Sequence, residues 1–369
     1  MTDSKVKLII RYVLEIILAI ILYAILDNVS GIKKYIVVVS ASLLLGFFSR
    51  KREWFLEVLI FAGLPVCCYV ILGSISALIA GNSQVETVKV ILYVCVPLFL
   101  AFSLYTFYGA KMDHAVNIQF VGSVLAYSIF DAPYFAKIFH WESIYSFVFG
   151  IFVIYYVYQK KWKLASLAML FVIFTEKRIV ILAILAVIVV MAVMWLFEEN
   201  KKLALVIWGI TIGIVFVYLY LIYSGIMVEF CWGANINTNG RVEIYSKMAS
   251  EAKFSLLYFG KGLGTVENLL QHWNVLEFEN LHSDLLKFYI ELGFLGLLTY
   301  LISYGIVFLR VEEKIGKREM CYYLSLMIYT IVLFATDNVS IYMIYLIPMY
   351  STVFAVLSSN KIEIRKQDD

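Results

Sequence analysis

Long apolar runs joined by short polar connections make up most of this chain, and the pattern is interrupted once. The runs lie near residues 8–26, 34–49, 54–80, 88–108, 115–131, 143–158, 162–176, 178–197, 203–225, 285–309, 320–336 and 339–358. Most reach the about 20 residues that a helix needs to cross a hydrocarbon core about 30 Å thick. Those at 34–49, 143–158 and 162–176 fall short. Tyr35, Trp54, Tyr105, Tyr108, Trp141, Trp162 and Trp195 stand near run ends, where an interfacial aromatic belt belongs. Between Ile226 and Asp284 the apolar pattern gives way to about sixty mostly polar residues. The pattern predicts an all-α, polytopic transmembrane bundle of about 12 spans with one long extracytoplasmic helical loop. Residues 1–225 carry spans 1–9, residues 226–284 the loop, and residues 285–369 spans 10–12 and a tail.

Composition strengthens this reading. The chain is 63% hydrophobic and 15% charged, with a mean hydropathy of +0.87, outside the range of a soluble globular domain. Placing the N-terminus in the cytoplasm puts 19 of the 30 Lys and Arg on the inner side. The positive-inside rule then sets both termini inside and the long loop outside. The first run starts close to Met1 without a small-residue cleavage site, so it is expected to be an anchor. Cys67, Cys68, Cys95 and Cys321 fall in apolar runs and Cys231 stands alone in the loop, with no disulfide or metal-ligand spacing. No internal repeat or nucleotide-binding motif stands out, and no nucleic-acid partner is expected.

The candidate chemistry lies in and around the loop. Val242, Tyr245, Met248, Ala249 and Ala252 recur at helical spacing, with Asn239 placed to cap the helix. Arg241 then falls in the first turn, where a guanidinium beside free backbone N–H groups suits a phosphate or diphosphate, or is a solvated surface residue. Gly260, Gly262 and Gly264 with Lys261 are either a loose phosphate-cradling turn or a linker that brings the chain back to the membrane. Lys177 and Arg178 sit on the outer side, which disfavours cations. They snorkel, or they hold an anion with Glu176 nearby. His282 precedes Asp284 at the return to the bilayer and is a surface residue or a general base. Lys287 and Glu291 have the spacing of a helical ion pair, as do Arg11 and Glu15 in the first run. Gly293 and Gly296 permit close helix packing or a local break. Nothing links His140 and His272 to a shared site.

In order and spacing, four segments resemble the O-antigen polymerase and O-antigen ligase superfamily. They are Thr175-Glu176-Lys177-Arg178, Asn239-Gly240-Arg241, Phe259-Gly260-Lys261-Gly262-Leu263-Gly264, and Leu281-His282-Ser283-Asp284 running to Glu291-Leu292-Gly293-Phe294-Leu295-Gly296. Ser283 stands where that family usually has Asn, and Glu176 and Lys177 replace small polar residues. The resemblance implies a lipid-donor (GT-C-like) glycosyltransferase in a bacterial plasma membrane, with no cofactor and no metal. Its substrate would be an oligosaccharide on undecaprenyl diphosphate. Such an enzyme would polymerise repeat units of a capsular polysaccharide, O-antigen or exopolysaccharide, or act as a ligase moving glycan to lipid A core. A flippase for the same lipid-linked unit is the alternative from another class. The implied roles are catalytic for His282, Arg241 and Arg178, and substrate-binding for Lys177, Lys261, Asp284 and Glu291. Membrane lipids, a chain-length regulator and a flippase are the partners this picture includes.

The charge bias gives a direct test of orientation. A Cys replacing Ser246 is expected to react with a membrane-impermeant maleimide in intact cells, and one replacing Lys161 is not. The reverse pattern would invert the topology.

Overall fold

The computed structural model describes residues 3–28, 32–47, 55–82, 84–135, 142–236, 238, 240–273 and 281–359, and every element among them is helical. The first nine helices are α1 (Asp3–Asn28), α2 (Ile32–Phe47), α3 (Phe55–Ala80), α4 (Gln84–Tyr108), α5 (Met112–Ala126), α6 (Ala132–Phe135), α7 (Tyr145–Tyr158), α8 (Trp162–Phe174) and α9 (Arg178–Leu196). They are followed by α10 (Lys201–Tyr223), α11 (Ile226–Gly233), α12 (Arg241–Ala249), α13 (Thr265–His272), α14 (Asp284–Lys314), α15 (Lys317–Thr336) and α16 (Met343–Ser359). A helix falls in each apolar run read from the sequence. Among the described residues, seven helical stretches are long and apolar enough to cross a membrane, and one of them, Gln84–Asp131, takes in two of the expected spans. Tyr145–Tyr158, Trp162–Phe174 and Met343–Ser358 are apolar but shorter. The chain is a multi-pass helical membrane protein. Its outward apolar side chains, such as Leu182, Leu185 and Val189 on α9 and Ile210, Ile214 and Val217 on α10, suit contact with lipid.

Two compact units share the chain. The first comprises Met1–Val58, Cys95–Ile188 and Tyr342–Asp369. Its core is α7, whose residues are almost all buried and whose rings pack edge-on and stacked, as Phe152 does with Phe120 and Tyr156. Gln119 on α5 donates to the Ser351 hydroxyl on α16 at 2.9 Å, a polar tie inside the apolar core. The expected Arg11 and Glu15 pair forms at 2.9 Å, and the second oxygen of Glu15 meets His114 Nε2 at 2.6 Å.

The second unit comprises Leu59–Val94 and Val189–Ile341 and contains the whole polar loop. On α10, Trp208 donates to the Leu301 carbonyl of α14 at 2.9 Å and packs against Phe308. The Tyr323 hydroxyl of α15 donates to the Phe61 carbonyl of α3 at 3.0 Å. Phe288 of α14 stands between Tyr69, Tyr300 and Phe334.

α14 is broken in its first half. Gly293 has φ 75° and ψ −178°, a conformation that only glycine adopts without strain. In an unbroken helix the Phe294 N–H would donate to the Ile290 carbonyl. Here the Phe294 N–H donates instead to the Tyr258 carbonyl at 2.9 Å, and Ile290 accepts from the Lys261 N–H at 2.8 Å. The Gly262 N–H adds a bond to the Glu291 carbonyl at 2.9 Å. The loop is thus inserted into the hydrogen-bond ladder of the helix. Its backbone approaches so closely that a Cβ on Gly260 would lie 2.5 Å from the Leu292 carbonyl carbon. The break that the sequence allowed at Gly293 exists, and the glycine turn fills it.

Candidate functional site

Four successive N–H groups of the glycine turn are engaged within the protein. The N–H groups of Lys261 and Gly262 serve α14, that of Leu263 donates to the Gly73 carbonyl at 3.2 Å, and that of Gly264 to the Glu291 carboxylate at 2.9 Å. A phosphate cradle needs convergent free N–H groups. Of the two sequence readings, the linking turn is the one the geometry fits. Lys261 itself pairs with Glu251 at 3.2 Å, and its carbonyl accepts from Asn82 and Thr265.

Glu291, one of the residues read as substrate-binding, is fully buried. One oxygen takes the Gly264 N–H and the other the Tyr69 hydroxyl at 2.8 Å. The ion pair read between Lys287 and Glu291 is corrected, because the Lys287 ammonium is bonded to Glu267 of α13. The carboxylate of Glu291 is spent on holding the turn, so the lysine finds its partner on the helix that follows it. Asp284, Lys287 and Glu291 share one face of α14. All three are buried, and each is tied to a different segment.

Asp284 is the third of these ties. Its two oxygens accept from the Ser340 N–H at 2.8 Å and the Ser340 hydroxyl at 2.5 Å, and its own N–H donates to the Asp337 carbonyl at 3.3 Å. It fastens the start of α14 to the turn after α15 and does not face His282 as a partner. Ser283, the residue that departs from the family pattern, caps α14. Its hydroxyl accepts from the Leu286 N–H at 3.3 Å and meets Tyr218 at 3.1 Å. Asn and Ser cap helices about equally well, so the replacement keeps the local structure.

His282 has a left-handed backbone, with φ 55°, unusual for a residue with a side chain. Its carbonyl accepts from the Tyr245 hydroxyl of α12 at 2.5 Å. Burial pushes that hydroxyl above the usual tyrosine range, so it stays a donor. The ring remains part-exposed, and its Nδ1 lies 3.9 Å from the buried Asp337 carboxylate. That separation is too long for a direct hydrogen bond and within ion-pair reach. Arg241 opens α12, and its guanidinium donates to the Thr336 carbonyl at 3.2 Å. Two successive residues at the end of α15 therefore face Arg241 and His282. Asn239, read as the helix cap, lies outside the described residues, and Gly240 occupies the cap position with φ 76°.

Arg178 and Lys177 belong to the first unit. Arg178 is exposed at the start of α9, and Lys177 is buried with its ammonium 4.5 Å from the centre of the Phe147 ring. The carboxylate of Glu142 faces Lys177 at 3.7 Å, where the sequence had pointed to Glu176. His272 is exposed, and His140 lies outside the described residues.

Residues 163–301 match the family model described as O-antigen ligase. The match supports the likeness of this segment to the O-antigen polymerase and ligase superfamily. The family's members are glycosyltransferase-like enzymes. No curated protein and no solved structure matches the chain. The matched segment takes in Arg178, Arg241, Lys261, His282 and Glu291 but ends before Asp337. Sequence reasoning missed Asp337, along with Tyr218, Tyr245 and Glu267. The one available signal was the polar pair Asp337-Asn338 between two apolar runs.

The pair of Lys287 and Glu267 gives a test in acid. Burial raises the Glu267 carboxyl, but the charge and hydrogen bond of Lys287 outweigh it and hold the group below its ordinary value of 4.5. A carboxyl lowered on folding stabilises the protein above that value, and the contribution is lost as pH falls through the lower, folded one. Glu267→Gln is expected to cost on the order of 3 kcal/mol at neutral pH by stranding a buried ammonium. It should also flatten the acid-side fall in thermal stability. Adding Lys287→Met should restore most of the loss. An unchanged melting profile for Glu267→Gln would contradict the pairing.

Proposed function

We propose that the chain is a polymerase that transfers a growing glycan from undecaprenyl diphosphate to the terminal sugar of a new lipid-linked repeat unit. The observation that carries this reading is the convergence of Arg241 and His282 on consecutive residues at the end of α15, with Asp337 beside the histidine. A cation, an imidazole and a carboxylate at one end of a helical unit provide the groups that such a transfer uses.

In this reading the acceptor hydroxyl oxygen bonds to the anomeric carbon of the donor. The bond from that carbon to the diphosphate oxygen breaks, and its electrons leave with the diphosphate. Arg241, at the positive end of a helix, stabilises the charge that grows on the leaving group. His282 Nε2 takes the proton, and Asp337 on the Nδ1 side orients the ring. Arg178 enters as a second cation through the family pattern alone. Asp284, Glu291 and Lys261 act by positioning, since their charged groups are already engaged within the protein. Lys177, already facing Glu142, is assigned the same positioning role. The reading includes twelve spans of the lipid-donor glycosyltransferase type, a bacterial plasma membrane and cytoplasmic termini. A chain-length regulator and a flippase are its expected partners.

Purified protein in vesicles, given only the undecaprenyl-diphosphate-linked repeat unit, is expected to make a ladder of polymer. A ligase would make none until lipid A core was added, and a flippase would move the unit without elongating it. His282→Ala should lower turnover about 10²–10⁴-fold while leaving the protein folded. His272→Ala should stay near wild type. Asp337→Asn should lower kcat with little change in KM and alter the pH profile of kcat. Near-normal turnover in His282→Ala would remove the proton-transfer role.

A further inference from the structure

The polar loop was expected to lie wholly outside the membrane, yet its middle is bonded to two membrane spans well below their ends. On α3, the Ser76 hydroxyl donates to the Phe259 carbonyl at 3.1 Å, and the Gly73 carbonyl accepts from the Leu263 N–H at 3.2 Å. The candidate span Ile60–Ala80 has 21 residues, about 31 Å at 1.5 Å per residue, which matches a hydrocarbon core. Ser76 then lies about 6 Å and Gly73 about 10 Å below its end at Ala80. On α14, the same segment is bonded at Ile290, Glu291 and Phe294, six to ten residues into the candidate span Asp284–Lys314.

Irregular backbone is tolerated at such depth only where the protein satisfies its polar groups. For the turn at residues 261–264 and the carbonyls leading into it, the partners are within the protein. The N–H groups of residues 261–264 all donate within the protein, and the carbonyls of Tyr258, Phe259, Lys261 and Leu263 all accept. The side chains beside them agree. Leu256, Leu257 and Phe259 are 65%, 77% and 67% exposed, an apolar cluster that water would disfavour and hydrocarbon would not.

The geometry points to a re-entrant segment over residues 256–264, with Leu256, Leu257 and Phe259 immersed in the acyl chains of the outer leaflet. The loop would thereby be anchored in the membrane beside the site carried by α12 and the start of α14. Lipid hydrocarbon is the occupant because the cluster continues the lipid-facing surface of two spans to which its backbone is bonded. This inference holds whether the protein elongates, ligates or moves its substrate.

Nitroxide labels on single cysteines test it, in full-length protein reconstituted in phosphatidylglycerol and phosphatidylethanolamine vesicles with the five native cysteines replaced by alanine. Labels at Leu257→Cys and Phe259→Cys are expected to collide readily with oxygen and poorly with a water-soluble nickel chelate. Labels at Ser246→Cys and His272→Cys should show the opposite. All four positions are exposed, so folding should survive the labels. Nickel accessibility at 257 and 259 equal to that at 272 would overturn the proposal and place the segment in water. Low accessibility to both reagents would overturn it too, because the cluster would then be covered by protein.

Discussion

The exchange of hydrogen bonds between the break in α14 and the turn at residues 258–264 is the constraint on which the second unit depends. A helix interrupted inside a membrane leaves donors and acceptors that lipid cannot satisfy, each costing several kcal/mol. The turn supplies the missing partners directly, giving its Lys261 and Gly262 N–H groups and its Tyr258 carbonyl to Ile290, Glu291 and Phe294. Glu291 closes the arrangement by accepting from Gly264 and Tyr69. Neither partner is satisfied without the other, so a long loop is fixed to the bundle at a defined depth.

Fixing the turn also fixes what flanks it. The chain before it carries α12 with Arg241 and Tyr245, and the chain after it returns through α13 to His282. Tyr245 holds the His282 carbonyl, Ser283 caps the following helix, and Asp284 ties that helix to Ser340. These bonds leave the His282 ring part-exposed beside Asp337 and the Arg241 guanidinium against Thr336. Most charged groups nearby are consumed as fasteners. The His282 ring and the Arg241 guanidinium keep part of their surface exposed.

Much of this architecture was legible in the sequence, because apolar runs of membrane length have few alternative structures. The helix at α12 and the pair of Arg11 and Glu15 were legible for the same local reasons, namely helical periodicity and four-residue spacing. The partners of Lys287 and His282 were not. Glu267 and Asp337 lie twenty and fifty-five residues away, and only the folded loop brings them close. The glycine turn was ambiguous because a phosphate cradle and a backbone clasp both need glycine. What separates them is where the N–H groups go, which depends on the break at Gly293 some thirty residues later. The bond of Asp284 to Ser340 was hidden in the same way, because it spans fifty-six residues.

Amide hydrogen exchange, followed residue by residue on the full-length protein in lipid nanodiscs, tests the clasp most directly. The amides of Lys261, Gly262, Gly264 and Phe294 should exchange as slowly as those in the unbroken part of α14, because each donates inside the protein. Exchange at those four positions as fast as at exposed residues of the polar loop would contradict the account. The turn would then be solvated, and the break in α14 would have to be satisfied in some other way.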